Sequence, residues 1–475
     1  MGVKSTIMLI SAAVLTAVST SIHAQNAEWQ AALDGFLNDP TLMGASVGFV
    51  ALETGGAVNY EAAHQPETVL VPASSQKVLT CATALEVLSP KYRFSTNLAY
   101  RGTITDGVLQ GDLFIVGGGD PALGSTRFPA QYEGFLAQWG QAIQDAGIQR
   151  VEGTIIVDQD FFDAEVVAGS TAVADAGNYY AGGAHALNYK DNRYTITFSS
   201  SDKDGGLTHV RSTQPAVGLL KLKNEVRASN FNADNAYIYA IPGEHNHVIR
   251  GTIPKGQDAF TIKGAIPQPG LVLATELEEW LEEAGVTLKE NPTTKNRVRD
   301  LRRLDGMAME LANVQSPKLA ELVKVTLHDS DNSYADNLLK MLGKKVYGEG
   351  SYAKGALAVA DHWETRLRYP EGMLLADGSG LSRLNGLSAS HLAEVCALLD
   401  PEVRDAFEAG LKPVGGNTRI QAKSGTISRV KSYTGYFTTA GGTQYAFSFI
   451  VNNFSGASAD MRKRMGRLLD TLTRL

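Results

Sequence analysis

Hydrophobic positions along this chain change period several times, and each change marks an element. Ala45 to Leu52 reads as a strand, Thr54-Gly55-Gly56 as a turn and Ala57 to Tyr60 as a second strand, which predicts a hairpin. The run Val78-Leu79-Thr80-Cys81-Ala82-Thr83-Ala84-Leu85 has helical spacing, and Pro72 with Ser74 ahead of it predicts a helix beginning at Ser74. Short strands come next at Thr96 to Gly102 and Gly111 to Val116. Gln131 to Ala146 is a helix by the spacing of Phe135, Trp139, Ile143 and Ala146, and Gly153 to Asp158 is a strand. Alternating runs at Tyr194 to Phe198, Ala236 to Ile241 and His247 to Ile253 predict a β-rich module, closed by a helix at Leu273 to Ala284. The polar, turn-rich Asn291 to Asp300 suits a boundary. Helical spacing returns at Pro317 to His328, through Tyr334, Leu338, Leu339 and Leu342, and at Ser388 to Leu399. Strands at Arg419 to Lys423, Lys431 to Thr438 and Gln444 to Asn452 precede a last helix, Ala459 to Arg474.

Composition sets the class. The chain has 475 residues, 44% hydrophobic and 20% charged, enough for two or three globular domains. Met1 to Ala24 departs from this average: Lys4 is a basic start, Ile7 to Val18 an apolar core, and Ser19 to Ala24 a small-residue exit. That order predicts a secretory signal peptide cleaved after Ala24, hence an exported, periplasmic protein. Removing Lys4 with it moves the net charge from −7 to −8, which gives no broad attraction to nucleic acid. Cys81 and Cys396 are the only cysteines. Both lie in apolar helical patterns and read as core residues, although one bridge between them is compatible with the sequence. No later segment has the roughly 18 uninterrupted apolar residues of a membrane span. The last helix sets Arg462, Lys463, Arg464 and Arg467 beside Met465, Leu468, Leu469 and Leu472. Packing on a sheet with the basic face in water accounts for this pattern, and peripheral membrane contact is the alternative.

Several short motifs are set aside on context. Gly44-Ala45-Ser46-Val47-Gly48 spells a nucleophile elbow, but Ser46 begins a strand where the elbow needs a strand before it. Gly117-Gly118-Gly119-Asp120-Pro121 lacks the spacing of a nucleotide-binding loop and reads as a tight turn. Glu244, His245 and His247 lack a third ligand at a recognised spacing, so no metal site is expected.

Three boxes carry chemistry: Ser74-x-x-Lys77, then Ser330-Asp331-Asn332, then Lys423-Ser424-Gly425-Thr426. A serine hydroxyl needs a base to take its proton, and a lysine whose pKa is lowered by burial and a neighbouring cation can serve. Each box is common alone. In this order, with the first opening a helix, the second between helices and the third on a strand, they resemble the penicillin-recognising serine enzymes. About 250 residues separate Lys77 from Ser330, more than a single-domain β-lactamase uses. That insertion, the Asp377-Gly378-Ser379-Gly380-Leu381-Ser382-Arg383 loop and Gly177-Asn178-Tyr179-Tyr180 make the chain similar to the D-alanyl-D-alanine carboxypeptidase/endopeptidase family. These are the class C low-molecular-mass penicillin-binding proteins, peptidase family S13. Ser424 stands where many members have Thr.

The resemblance implies an α/β fold: a β-lactamase/transpeptidase-like domain, an antiparallel sheet flanked by helices, formed by residues 25–94 and 314–475. A β-rich insertion, 95–313, with a smaller module nested at about 115–185, would split it. The implied function is a periplasmic DD-peptidase without cofactor or metal, acting on peptidoglycan stem peptides. It would cleave the terminal D-Ala–D-Ala bond and, in an endopeptidase role, D-Ala–diaminopimelate cross-links. Ser74 would attack, Lys77 take its proton, Ser330 relay a proton to the leaving amine, and Asn332 hold the substrate amide. Lys423, Ser424 and Thr426 would receive the terminal carboxylate, with Gly425 between them and the Ser74 and Thr426 amides forming the oxyanion hole. Asp175 falls where the family can place a carboxylate against the side-chain amine of the stem. β-Lactams would acylate Ser74. A β-lactamase-like hydrolase or D-amino-acid esterase, and a non-catalytic β-lactam-binding sensor, are the rival readings; a homodimer is compatible with all of them.

Overall fold

A computed structural model describes residues 27–55 and 58–474. The signal-peptide reading of Met1 to Ala24 lies outside the described residues. The chain forms two compact units: one runs to Thr83 and includes Ala360–Leu375 and Arg383 onward, the other comprises Ala84–Val359 and Ala376–Ser382.

The first unit is built on a six-stranded sheet in the order Lys412–Val414, Asn417–Ile427, Val430–Thr438, Gln444–Asn452, Ser46–Glu53, Tyr60–His64. Every neighbouring pair is antiparallel. Helices cover both faces, which is why Val47 to Leu52 is almost continuously apolar rather than alternating. On one face the helix at 27–37 and the terminal helix Ser458–Leu472 supply Trp29, Leu33, Met461, Met465, Leu468, Leu469 and Leu472. They pack on Phe49, Tyr433, Phe437, Phe447 and Phe449. On the other face lies Ala389–Leu398, whose Ser388 cap accepts the His391 amide and whose Cys396 carbonyl accepts the Tyr436 hydroxyl. Cys81 and Cys396 are buried and unbridged. Ser46 opens a strand, so the elbow spelling is excluded here as well.

The sheet is incomplete along one edge. The short strand Lys412–Val414 pairs with its neighbour only as far as Ala422, so among the described residues no strand flanks 423–427 on that side.

The second unit carries a seven-stranded sheet centred on Ser95–Thr105 and Val108–Val116. Its helices Phe135–Asp145 and Pro269–Glu283 meet at Gly140, where an added β-carbon would lie 1.8 Å from the Trp280 ring, so only glycine permits that approach. Two three-stranded sheets occupy 193–265. The stretch 115–185 contributes Arg150–Val151 and Ile155–Asp158 to the larger sheet. Helices Leu319–His328 and Asn332–Tyr347, flanking the second box, also belong to this unit. Among the described residues no helix is long and apolar enough to cross a membrane.

Candidate active site

Ser74 does not open an α-helix. Residues Ala73–Gln76 form a 3₁₀ turn, and the α-helix Lys77–Leu88 begins after it. Ala73 adopts φ +48°, a left-handed conformation that costs an alanine energy and is often found at functional sites. In a 3₁₀ turn side chains at i and i+3 eclipse, so the turn stacks Lys77 over Ser74 more directly than an α-helix would. Lys77 Nζ lies 3.1 Å from Ser74 Oγ. Across that distance a neutral amine can take the hydroxyl proton.

The turn is anchored by groups the sequence did not single out. Asn452 accepts from the Val71 amide at 2.9 Å and donates to the Val71 carbonyl at 3.0 Å, as a neighbouring strand would. The Pro72 carbonyl accepts from Ser75 Oγ at 2.7 Å and Ser432 Oγ at 2.6 Å. Ser75 is therefore structural. Behind the turn, Val78, Leu79, Cys81 and Ala82 are fully buried and hold the helix in the core.

The third box reaches the same place from the sheet. An antiparallel strand alternates its faces, so Lys423 and Gly425 share the Ser74 face while Ser424 and Thr426 share the terminal-helix face with their ladder partners Tyr433 and Lys431. Gly425 lies against the turn: a β-carbon there would stand 2.2 Å from Ser432 Oγ, 2.8 Å from the Pro72 carbonyl oxygen and 3.0 Å from the Ser74 amide nitrogen. The glycine of this box is thus a requirement of close approach. Lys423, 3% exposed, donates to the Ser424 carbonyl at 2.8 Å. Burial, and then the positive charge of Lys77, push its pKa down to about 6.

The second box is built within the other unit. Ser330 has φ +59°, and Asp331 caps Asn332–Tyr347 by accepting the Tyr334 amide. The buried Asp331 carboxylate is paired with Arg127 at 2.9 Å and with Arg193. Arg127 also lies 3.4 Å from Asp191, which accepts the Tyr334 hydroxyl. Two arginines therefore fix the cap that presents Ser330 and Asn332, and neither was visible as a motif. Asn332 Nδ2 donates to the Tyr180 carbonyl at 2.7 Å, which gives the Asn-Tyr-Tyr segment a concrete function. Asp175 accepts the Tyr180 hydroxyl at 2.9 Å and so also supports this segment.

The remaining motifs are structural. Asp377 accepts the amides of Ser379, Gly380 and Ser382 and folds its loop around itself. His247 places its ring nitrogens 2.9 Å from the Tyr194 hydroxyl and 3.1 Å from the Glu244 carbonyl. Among the described residues no three His, Cys, Asp or Glu side chains are grouped for a metal.

A profile of the D-Ala-D-Ala carboxypeptidase 3 (S13) family matches residues 29–472. The chain is 26% identical to the D-alanyl-D-alanine carboxypeptidase of Actinomadura sp. (strain R39), over 93% of this chain and 84% of that one. It is 23% identical to D-alanyl-D-alanine carboxypeptidase DacB of Haemophilus influenzae, over 90% and 89%. Its structure is similar to crystalline penicillin-binding protein 4 of H. influenzae, with TM-score 0.77 and 21% identity over 91% of this chain and 97% of that one. The same protein complexed with a β-lactam gives a TM-score of 0.72. The ordered boxes, the Ser74–Lys77 pair and this chain-long match agree, and the protein belongs to the D-Ala-D-Ala carboxypeptidase 3 (S13) family.

Proposed function

We propose that this protein is a serine DD-peptidase that hydrolyses the terminal D-Ala–D-Ala bond of peptidoglycan stem peptides through an acyl-enzyme on Ser74. The observation that carries the reading is the Ser74 hydroxyl 3.1 Å from the Lys77 amine. Ser74 Oγ attacks the carbonyl of the penultimate D-alanine as Lys77 accepts its proton, and the oxyanion is met by the Ser74 and Thr426 amides. Breakdown expels D-alanine, with Ser330 returning a proton to the leaving amine, and water then releases the shortened peptide. Asn332 binds the substrate amide. Lys423 and Gly425 approach the terminal carboxylate from the Ser74 face of the edge strand, Ser424 and Thr426 from the other. Asp175 contacts the amine of the third stem residue, and cross-links between stems are cut by the same chemistry. β-Lactams, which mimic the D-Ala–D-Ala end, acylate Ser74.

We further place the protein in the periplasm, on the strength of the leader pattern. The apolar residues of the terminal helix are committed to the core, so membrane contact would fall to exposed Arg462, Lys463 and Arg467. The test is mass spectrometry after penicillin and after diacetyl-L-Lys-D-Ala-D-Ala, alongside Ser74→Ala. A stable penicillin adduct on the wild type and release of D-alanine, both lost in the variant, are expected. Rapid penicillin turnover would favour a β-lactamase, and adduct without D-alanine release a sensor.

A further inference from the structure

Lys431 is a buried lysine that none of the three boxes contains. It sits opposite Thr426 in the ladder, 5% exposed, and its Nζ donates to Thr426 Oγ1. A hydroxyl that accepts from an ammonium has its own proton left to donate. Thr426 closes the third box, on the stretch 423–427 that no strand flanks on its outer side among the described residues. The arrangement is therefore a cation, then a polarised hydroxyl, then an open strand edge.

We propose that Lys431 is a positioning residue for the substrate's terminal carboxylate, acting through Thr426: its ammonium orients and polarises the Thr426 hydroxyl toward the anion and adds positive charge on the face of the strand that Lys423 does not serve. The inference rests on the peptidase reading above and adds a second cation to its carboxylate pocket. Charge makes the addition consequential. Lys423 is depressed to about 6, so without substrate it brings little positive charge at neutral pH. Lys431 is depressed only to about 8, by burial and then by Arg462 of the terminal helix. Tyr433, whose ring centroid lies 5.4 Å from the Lys431 amine, is the other titratable group beside it, and Lys423, on the opposite face of the neighbouring strand, feels its charge. Burial raises Tyr433, so it is neutral across this range. Lys431 is then the group whose loss of charge near pH 8 weakens capture of an anion.

The experiment compares diacetyl-L-Lys-D-Ala-D-Ala with its C-terminal amide on the wild type, Lys431→Met and Lys431→Arg, reading KM and kcat separately from pH 6.5 to 9. In the methionine variant KM for the acid should rise about tenfold more than KM for the amide, the size expected for a lost charge-assisted hydrogen bond. Arginine should restore acid preference and shift the alkaline break upward. In the wild type, KM for the acid alone should climb through pH 8, and this arm needs no variant to fold. Equal losses for acid and amide, or a flat wild-type KM through pH 8, would overturn the inference. Absence of D-alanine release from the wild type would instead sink the peptidase reading and this inference with it.

Discussion

Gly425 and Pro72 are packed so closely that a β-carbon on the first would stand 2.8 Å from the carbonyl oxygen of the second. That carbonyl already accepts two hydroxyls, so it has no room to retreat. Gly425→Ala should therefore push the strand off the Ser74 turn. A displacement near 1 Å costs about 100-fold in rate, and overpacking about 1–3 kcal/mol of stability. Penicillin acylation rate and thermal melting check both. An alanine variant that acylates at the wild-type rate would show the contact to be dispensable.

Asp331 holds the second box. Its carboxylate is buried, caps a helix and pairs with two arginines, so Asp331→Ala strands charge and should destabilise by about 3 kcal/mol. Asp331→Asn keeps an oxygen for the cap and should cost clearly less. Chemical denaturation of the two variants gives the ranking, and equal losses would contradict it.

Lys423 links stability to pH. Its folded pKa near 6 lies below the usual lysine value, so between those limits the unfolded chain binds more protons than the folded one. Unfolding free energy from this group must rise with pH across that window, and its contribution is lost as pH falls toward 6. Lys423→Met should flatten the slope measured by denaturation at pH 6, 7 and 8. A carboxylate ligand arriving at Lys423 raises its pKa, so binding to Ser74→Ala protein at pH 7 should take up protons. Calorimetry in buffers of different ionisation enthalpy reads that uptake directly.

Cys81 and Cys396 should stay untouched in the native protein. Both are buried, and burial raises both thiols, Cys81 to about 12. Iodoacetamide should add nothing until denaturant is present, then two groups per chain without prior reduction. One group or none after unfolding would reveal a bridge.

Much of this architecture is legible in the order of residues alone. Strands and helices with apolar period, such as Gln444–Asn452 and Leu319–His328, appear close to where spacing put them. Thr208–Gln214, with one aliphatic residue in seven, was missed because its strand state comes from ladder bonds to Arg193–Ser200 rather than from burial. The helix expected at Ser74 became a 3₁₀ turn because anchoring of Val71 and Pro72 overrides local propensity. In the site, residues inside the boxes could be named because the boxes are contiguous. Arg127, Arg193, Asn452 and Lys431 are single residues. For the first three the partner lies far along the chain, and Lys431 meets Thr426 only across a hairpin. No local pattern announces them.

The bare margin of the Lys423 strand has a consequence of its own. A ladder that stops one row short is a template, and an extended peptide laid along 423–427 can complete it with main-chain bonds alone. Recognition would then begin with the backbone of the incoming chain, before any of its side chains is inspected. Ligands whose amide is replaced by an ester or N-methyl group should bind more weakly for that reason, even when every charge and methyl group is retained.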